Sequence, residues 1–196
     1  MNKEELAPGI IVYRDVIDLD IDIVDEIESA ATLGTIVWSK AEVRSTGDSS
    51  VDVLVRDAST IGIPFIGAQN IESTTDFFIN EIAEMFRFFF APLEYDYMQK
   101  YGVLFSEHYN FEIVKYEKGQ KYLNHIDDHQ FFHRRVSTIF SPSDNYSGGE
   151  LHFPNFDLTY RLGKNELLIF PSTYVYNSSV NEVIDGSKYE ILSWIK

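Results

Sequence analysis

The sequence predicts an α+β protein that is mainly β, with N-terminal helices supporting a C-terminal antiparallel sandwich, jelly roll or barrel. Before residue 110, apolar residues recur at intervals of three and four, which is the spacing of helices with one buried face. From Phe111 onward, short apolar runs alternate with turn residues, which is typical of short antiparallel strands. We therefore expect a single domain over 1–196, with supporting helices and strands over about 1–110 and the β core over about 111–196.

The first predicted elements are a strand and an acidic helix. Gly9–Tyr13 is an apolar run that predicts a strand, and Asp18–Ala31 predicts an amphipathic helix. The residues expected on one face of this helix are Ile21, Val24, Ile27 and Glu28. Residues 34–72 have a mixed pattern, in which Val51–Val55 is expected to be a short β segment.

A second helix is predicted to begin at Thr74 or Thr75, either of which is a suitable N-cap. Its apolar stripe is Phe78, Ile82, Met85, Phe86 and Phe89. Pro92 is expected to end or kink this helix, because proline lacks the N–H that a helix interior requires. A further helical segment is expected over Tyr95–Phe105.

Eight short strands are predicted for the C-terminal half of the chain. They are Phe111–Tyr116, Lys121–His125, Arg135–Phe140, Glu150–Phe153, Leu158–Leu162, Glu166–Phe170, Thr173–Tyr176 and Tyr189–Ile195.

Composition excludes several classes of function. The formal net charge of −15 disfavours non-specific nucleic-acid binding and attachment to anionic membranes. The chain has no cysteine, which excludes disulfides, zinc ribbons, thiolate nucleophiles and iron–sulfur clusters. There is no secretory signal pattern and no apolar run of membrane-spanning length, so a cytoplasmic location is expected.

His125 and Asp127 are the first candidate site residues. On an extended segment, residues two apart project to the same face, so an imidazole nitrogen and a carboxylate oxygen converge there. Such a donor pair suits a divalent metal of iron or manganese character. Taken alone, the pair is more typical of an exposed turn in which both residues are merely polar.

A longer ordered pattern surrounds this pair. Its parts are Tyr116-x-x-Gly119-x-x-Tyr122-x-x-His125-x-Asp127, Arg135-x-x-Thr138, Gly148-Gly149-Glu150, Phe170-Pro171-Ser172 and Gly186-x-Lys188. In this order, the pattern resembles the iron(II)- and 2-oxoglutarate-dependent dioxygenases, in their prolyl 4-hydroxylase-like branch. The resemblance implies a double-stranded β-helix, or jelly roll, with iron between its two sheets.

The resemblance also implies a role for each matching residue. His125 and Asp127 correspond to iron ligands, and Lys188 to the cation that binds the distal carboxylate of 2-oxoglutarate. Tyr116 and Thr138 match positions whose hydroxyls help to hold this co-substrate. The implied cofactors are Fe(II) and 2-oxoglutarate, with ascorbate as an optional addition. The implied reaction hydroxylates a prolyl, peptidyl or small-molecule substrate and releases succinate and CO2.

The third metal ligand of the family is missing. The second histidine of the family lies ten residues before the lysine, where this chain has Ser178. Ser178, Asn177 or a water could supply a weak oxygen ligand there, or another histidine could take its place. The histidines considered for that role are His129, His133 and His152. A relative that binds a ligand without turnover, or a substitution introduced at position 178, would also explain the pattern.

Three hypotheses about function therefore remain open. The first is an active oxygenase acting on a peptide, protein or small molecule, and the second is a catalytically impaired or silent binding protein on the same fold. The third is a structural jelly roll without a metal. Residues 40–72 and 128–135 are expected to form loops that recognise the substrate, with Arg44–Asp57 as a candidate lid. The acidic surface favours a basic peptide, and the sequence makes no prediction of oligomeric state.

Overall fold

The computed structural model describes residues 2–45, 48–64, 73–104, 110–128 and 133–196. The helices in this part of the chain are α1 (Ile23–Thr32) and α2 (Thr74–Tyr101). The strands are β1 (Asn2–Ala7), β2 (Ile10–Arg14), β3 (Ser39–Lys40), β4 (Val43–Ser45), β5 (Asp48–Ser50), β6 (Ser59–Ile63), β7 (Phe111–Tyr116), β8 (Tyr122–His125), β9 (Val136–Ser141), β10 (Tyr146–Gly148), β11 (Leu151–Phe153), β12 (Leu158–Tyr160), β13 (Glu166–Pro171), β14 (Ser178–Val180), β15 (Val183–Gly186) and β16 (Lys188–Ile195).

The strands form two principal antiparallel sheets. The major sheet has the order β1-β2-β13-β9-β16-β7-β6-β3, and the minor sheet has the order β12-β11-β14-β8. A β10–β15 pair and a β4–β5 hairpin complete the set. The predicted mainly β, jelly-roll fold is therefore confirmed. Strands from the N-terminal half extend both edges of the major sheet, so the two halves of the chain share one layer.

The major sheet buries both of its faces. On one face, α1 and α2 pack through a cluster that includes Phe86, Phe90, Phe111 and Phe140. On the other face, residues such as Val114, Phe170 and Leu192 pack toward the minor sheet. Because side chains alternate along a strand, each major-sheet strand contributes to both clusters. The space between the two sheets is where the candidate site lies.

Helix α1 begins later than the sequence pattern predicted. Asp22 is its N-cap, and its Oδ1 accepts the backbone N–H groups of Val24 and Asp25. An aspartate cap fixes the start of a helix because it pairs N–H groups that have no partner within the helix. The buried face is Ile23, Ile27 and Ala30, so the prediction was correct only for Ile27.

Helix α2 is one continuous helix of 28 residues, with Ser73 as its N-cap. Of the two outcomes expected at Pro92, an end or a kink, the end is wrong, because the helix continues past Pro92 to Tyr101. Pro92 and Phe88 are both exposed, so the Phe88 carbonyl that loses its N–H donor lies on the solvent side. The helix ends at Gly102, whose φ of 63° is the left-handed conformation of a common C-cap. No helix in the described part of the chain is both long and apolar enough to span a membrane.

Most of the predicted C-terminal strands match the structure within two residues at either end. One prediction was wrong: Thr173–Tyr176 contains a short 3-10 turn over Tyr174–Tyr176, and the strand follows at Ser178–Val180. The predicted β segment Val51–Val55 was also wrong, because Val53–Val55 forms a turn. The short strands β10 and β15 were not predicted, since three- or four-residue strands carry too little alternation to be recognised.

Candidate active site

A cavity of about 570 Å³ opens between the major and minor sheets. His125 of β8 and Ser178 of β14 border it from the minor sheet, and Tyr116 of β7 and Glu190 of β16 border it from the major sheet. Asp127, which follows β8, also borders it. The two residues of the His-x-Asp pattern, His125 and Asp127, therefore both line the cavity.

The imidazole of His125 is held in a defined orientation. Its Nδ1 lies 3.0 Å from the carbonyl oxygen of Leu123, and because a carbonyl only accepts, Nδ1 carries the proton. The Tyr122 ring stacks on the imidazole, with centroids 3.7 Å apart and planes 12° apart. Burial, the largest influence on the Tyr122 hydroxyl, raises its pKa to about 12. The remaining ring nitrogen, Nε2, points toward Asp127 at 3.5 Å from Oδ1.

The carboxylate of Asp127 is fixed by a chain of hydroxyls. The Ser137 hydroxyl donates to Oδ2 at 2.6 Å, and the Ser172 hydroxyl lies 2.8 Å from that of Ser137. Burial by itself raises the pKa of the Asp127 carboxyl. The contact with His125, the charge of Arg134 and the Ser137 hydroxyl outweigh burial and hold that pKa well below its ordinary value. The carboxyl is therefore ionised at neutral pH.

The donor set of His125 and Asp127 fits a divalent cation. Nε2 lies 3.5 Å from a carboxylate oxygen, and a cation bound between them would displace any proton on Nε2 and take up its lone pair while Nδ1 stays protonated. Two acceptors at this distance attract a cation placed between them, and neutral imidazole plus carboxylate is a common ligand set for iron. The hydrogen bonds at Nδ1 and Oδ2 are the supporting contacts that metal-binding residues usually have.

A third protein ligand from histidine, cysteine or an acidic residue is absent from the described residues, where no three such side chains cluster. Ser178 is buried and is the direct cross-strand partner of His125. His133 is exposed, and the His152 Nδ1 lies 3.0 Å from the Thr159 hydroxyl. His129 lies outside the described residues. Among the described candidates, Ser178 is the one beside His125.

Lys188 is buried at the start of β16. Its Nζ donates to the Gly149 carbonyl oxygen at 2.7 Å and lies 2.6 Å from Glu190 Oε1. Gly149 has a φ of 66°, and a Cβ at this position would approach Lys188 Cδ to 3.1 Å. The Gly-Gly-Glu turn noted in the sequence therefore makes room for the lysine stem.

Tyr116 and Thr138 have different relations to the cavity. Tyr116 borders it directly opposite Lys188 in the β7–β16 register, and burial raises the pKa of its hydroxyl well above the ordinary value. Thr138 also borders the cavity, but its hydroxyl donates to the Ser193 carbonyl oxygen at 3.1 Å. Thr138 has the same strand parity as Val136 and Phe140, which pack toward the helices. The neighbouring Ser137 is the β9 residue that reaches Asp127.

Two arginines at the cavity were not singled out by sequence reasoning. Arg56 is buried, lies over the Tyr122 ring at 5.1 Å and donates to Glu112 at 2.8 Å. Arg134 stacks on the Trp194 ring at 3.6 Å. Arg56 carries no motif signal because it enters the site through an isolated bridge to Tyr122.

The fold is that of the prolyl hydroxylases. A prolyl hydroxylase from Trichoplax adhaerens, solved with a peptide fragment of the hypoxia inducible factor oxygen degradation domain, superposes with a TM-score of 0.72 at 14% identity, covering 95% of this chain and 83% of that chain. A Pseudomonas putida prolyl-4-hydroxylase superposes with a TM-score of 0.66 at 13% identity, covering 96% and 92%. At such identities the likeness concerns the fold alone.

Sequence comparison finds similarity to one family in the C-terminal half of the chain. Residues 111–196 match the model of the 2OG-Fe(II) oxygenase superfamily. A PKHD-type hydroxylase of Prochlorococcus marinus (strain MIT 9215) is 38% identical over 85 residues, which are 40% of this chain and 38% of that protein. The matched segments span less than half the length of the curated relatives. The resemblance to 2-oxoglutarate/Fe(II) oxygenases of prolyl 4-hydroxylase type is thereby confirmed.

Proposed function

We propose that this protein is a 2-oxoglutarate- and Fe(II)-dependent oxygenase that hydroxylates a prolyl, peptidyl or small-molecule substrate and releases succinate and CO2. The observation that carries the proposal is the pair of lone-pair donors at the cavity wall. His125 Nε2 and Asp127 Oδ1 face each other at 3.5 Å within the segment that matches the family.

In this proposal, His125 and Asp127 hold the metal, and their partners keep them in place. Leu123 and Tyr122 fix the imidazole, while Ser137 fixes the carboxylate. Bound iron and 2-oxoglutarate would supply the oxidative chemistry, which lies beyond the reach of ordinary side chains. Lys188 is the cation placed to attract the distal carboxylate of the co-substrate, and Tyr116 is the hydroxyl nearest to it in register.

A peptide or protein substrate is supported by two features. One structural neighbour, the Trichoplax adhaerens prolyl hydroxylase, was solved with a peptide fragment bound. The net charge of −15 also favours a basic peptide through long-range attraction. Small 2-oxo acids and metal ions reach the same cavity, whose volume of about 570 Å³ exceeds what they need.

Anaerobic titration with Fe(II), with and without 2-oxoglutarate, tests the proposal. The expected result is a visible absorption band of the iron–co-substrate chelate that saturates. Succinate release in air, with a set of basic proline-containing peptides and with ascorbate present, then identifies turnover. Asp127→Asn is expected to abolish the band, because it removes the anionic ligand.

The second candidate is a silent binding protein on the same fold, which Ser178 favours because it replaces a strong nitrogen ligand with a weak oxygen. That function is indicated if the native chain gives no band while Ser178→His creates one. A band from the native chain together with succinate release excludes it.

A further inference from the structure

Glu190 lies on the same face of β16 as Lys188, because residues two apart on a strand point the same way. The two side chains are 2% and 1% exposed, and Lys188 Nζ lies 2.6 Å from Glu190 Oε1. The contact has the distance of an ion pair without the angle of a hydrogen bond, so Oε1 lacks a hydrogen-bond partner within the described residues. Glu190 and Lys188 are thus a buried charge pair.

Glu190 lies between the cavity and the Lys188 ammonium group. Of these two residues, Glu190 borders the cavity and Lys188 does not, among the described lining residues. The carboxylate therefore lies on the cavity side of the ammonium group. A ligand that enters the cavity and approaches Lys188 meets Glu190 first.

The Glu190 carboxylate is expected to weaken the binding of a dicarboxylate ligand by electrostatic repulsion. The ligand's distal carboxylate would come within a few ångströms of the Glu190 carboxylate, and like charges repel strongly in a buried site. The Lys188 ammonium already donates to the Gly149 carbonyl and is neutralised by Glu190. A 2-oxo acid that lacks the distal carboxylate avoids this repulsion.

We propose that Glu190 is a specificity-determining residue that occupies the carboxylate subsite of Lys188, so that 2-oxoglutarate must displace an internal carboxylate in order to bind. The inference rests on the proposed function, because it concerns the same co-substrate site. Its consequence is weak selection for 2-oxoglutarate over a 2-oxo acid of equal length without the distal carboxylate. Replacing Glu190 by a neutral residue of the same size releases Lys188 for the ligand.

The test compares two ligands and three proteins by anaerobic calorimetry in the presence of Mn(II), a redox-inert substitute for Fe(II). The ligands are 2-oxoglutarate and 2-oxopentanoate, which has the same chain length and no distal carboxylate. The proteins are the native chain, Glu190→Gln and the control Glu182→Gln, which removes an exposed carboxylate 3.7 Å from Lys121. Glu190→Gln is expected to bind 2-oxoglutarate about tenfold more tightly, the effect of one charged hydrogen bond. Its affinity for 2-oxopentanoate and both affinities of Glu182→Gln should stay unchanged.

A second measurement requires no metal. Glu190→Gln leaves the Lys188 charge buried without its partner, so its melting temperature should fall below that of the native chain. Glutarate, a dicarboxylate without the keto group, should restore part of this loss. The double variant Lys188→Met, Glu190→Gln should show no response to glutarate. If Glu190→Gln fails to fold, Glu190→Asp takes its place, because its shorter carboxylate withdraws from Lys188 and should give a smaller gain in the same direction.

The outcomes separate this inference from the proposed function. Equal 2-oxoglutarate affinity in the native chain and Glu190→Gln overturns the inference and leaves the oxygenase proposal intact. If Glu190→Gln binds 2-oxoglutarate and the native chain does not, the result supports the inference and contradicts the use of 2-oxoglutarate by the native chain. Absence of 2-oxoglutarate and glutarate binding from both proteins overturns both proposals.

Discussion

Ser178 is the direct cross-strand partner of His125, where β14 pairs antiparallel with β8. Facing side chains at such a position have Cβ atoms roughly 5 Å apart. Both residues border the same cavity. A side chain at position 178 that carries a nitrogen donor would therefore reach the space beside the His125 imidazole.

Ser178→His is expected to raise the affinity for Fe(II) by at least about tenfold, because it completes a set of two imidazoles and one carboxylate. Anaerobic metal titration measures the change. Ser179→His is the matched control, since Ser179 lies on the same strand with the opposite parity and pairs with His152. An equal gain from Ser179→His would show that the effect does not depend on position 178.

Tyr122→Ala is expected to weaken metal binding by a few-fold to about tenfold, because the stacked ring no longer holds the imidazole of His125 in place. The native rings lie 3.7 Å apart, a separation that Tyr122→Phe should preserve. The phenylalanine variant should therefore keep native affinity. Titration with manganese(II), followed by electron paramagnetic resonance of the free ion, measures the affinity. If both variants lose affinity, the Tyr122 hydroxyl and not the stacked ring is responsible.

Asp127 is expected to make the stability of the protein dependent on pH in acid. Its pKa is lowered in the folded state from the ordinary 3.8, so its contribution is present above that value and is lost as pH falls toward the folded pKa. Urea unfolding of the native chain and Asp127→Asn, from neutral pH to about pH 2.5, measures this contribution. The difference between the two free energies of unfolding should shrink as pH falls below about 4. A constant difference would contradict the lowered pKa.

Gly149→Ala is expected to lower the free energy of unfolding by about 1–3 kcal/mol, the usual cost of a strained backbone position. Its φ of 66° disfavours any side chain, and the new Cβ would approach Lys188 Cδ to 3.1 Å. Gly163→Ala is the control, because a Cβ at that glycine makes only ordinary contacts from 3.5 Å outward. Denaturant unfolding should show the loss for position 149 alone.

The strands and the closeness of His125 and Asp127 were predictable from sequence because their signals are local. Alternation fixed β7 at Phe111–Tyr116 at both ends, and the i, i+2 spacing put His125 and Asp127 on one wall. Pro92 does not end the helix, because its propensity to break helices is overridden where the freed carbonyl faces solvent and the helix packs on the sheet.

Other parts of the site depend on tertiary contacts that no local pattern carries. Arg56 reaches Tyr122 from a separate bridge, and it is the Ser137 hydroxyl that reaches Asp127, while the Thr138 hydroxyl bonds to the Ser193 carbonyl oxygen. Glu190 is a partial exception. Its position two residues after Lys188 on a predicted strand already implied that the two charges share a face, and only the fold showed that the shared face is buried.

The pairing of β2 with β13 has a consequence for the biosynthesis of this protein. Arg14 and Glu166 are register partners and form a side-chain hydrogen bond across a sequence separation of 152 residues. At ordinary translation rates, β2 leaves the ribosome roughly 8–30 s before β13 does. During that interval the apolar run Ile10–Tyr13 has no partner from β13, and such a run is prone to aggregate. Long-range closure of the sheet is therefore a late event in folding, and yield in the cell should depend on chaperones that cover β2 until synthesis passes residue 169.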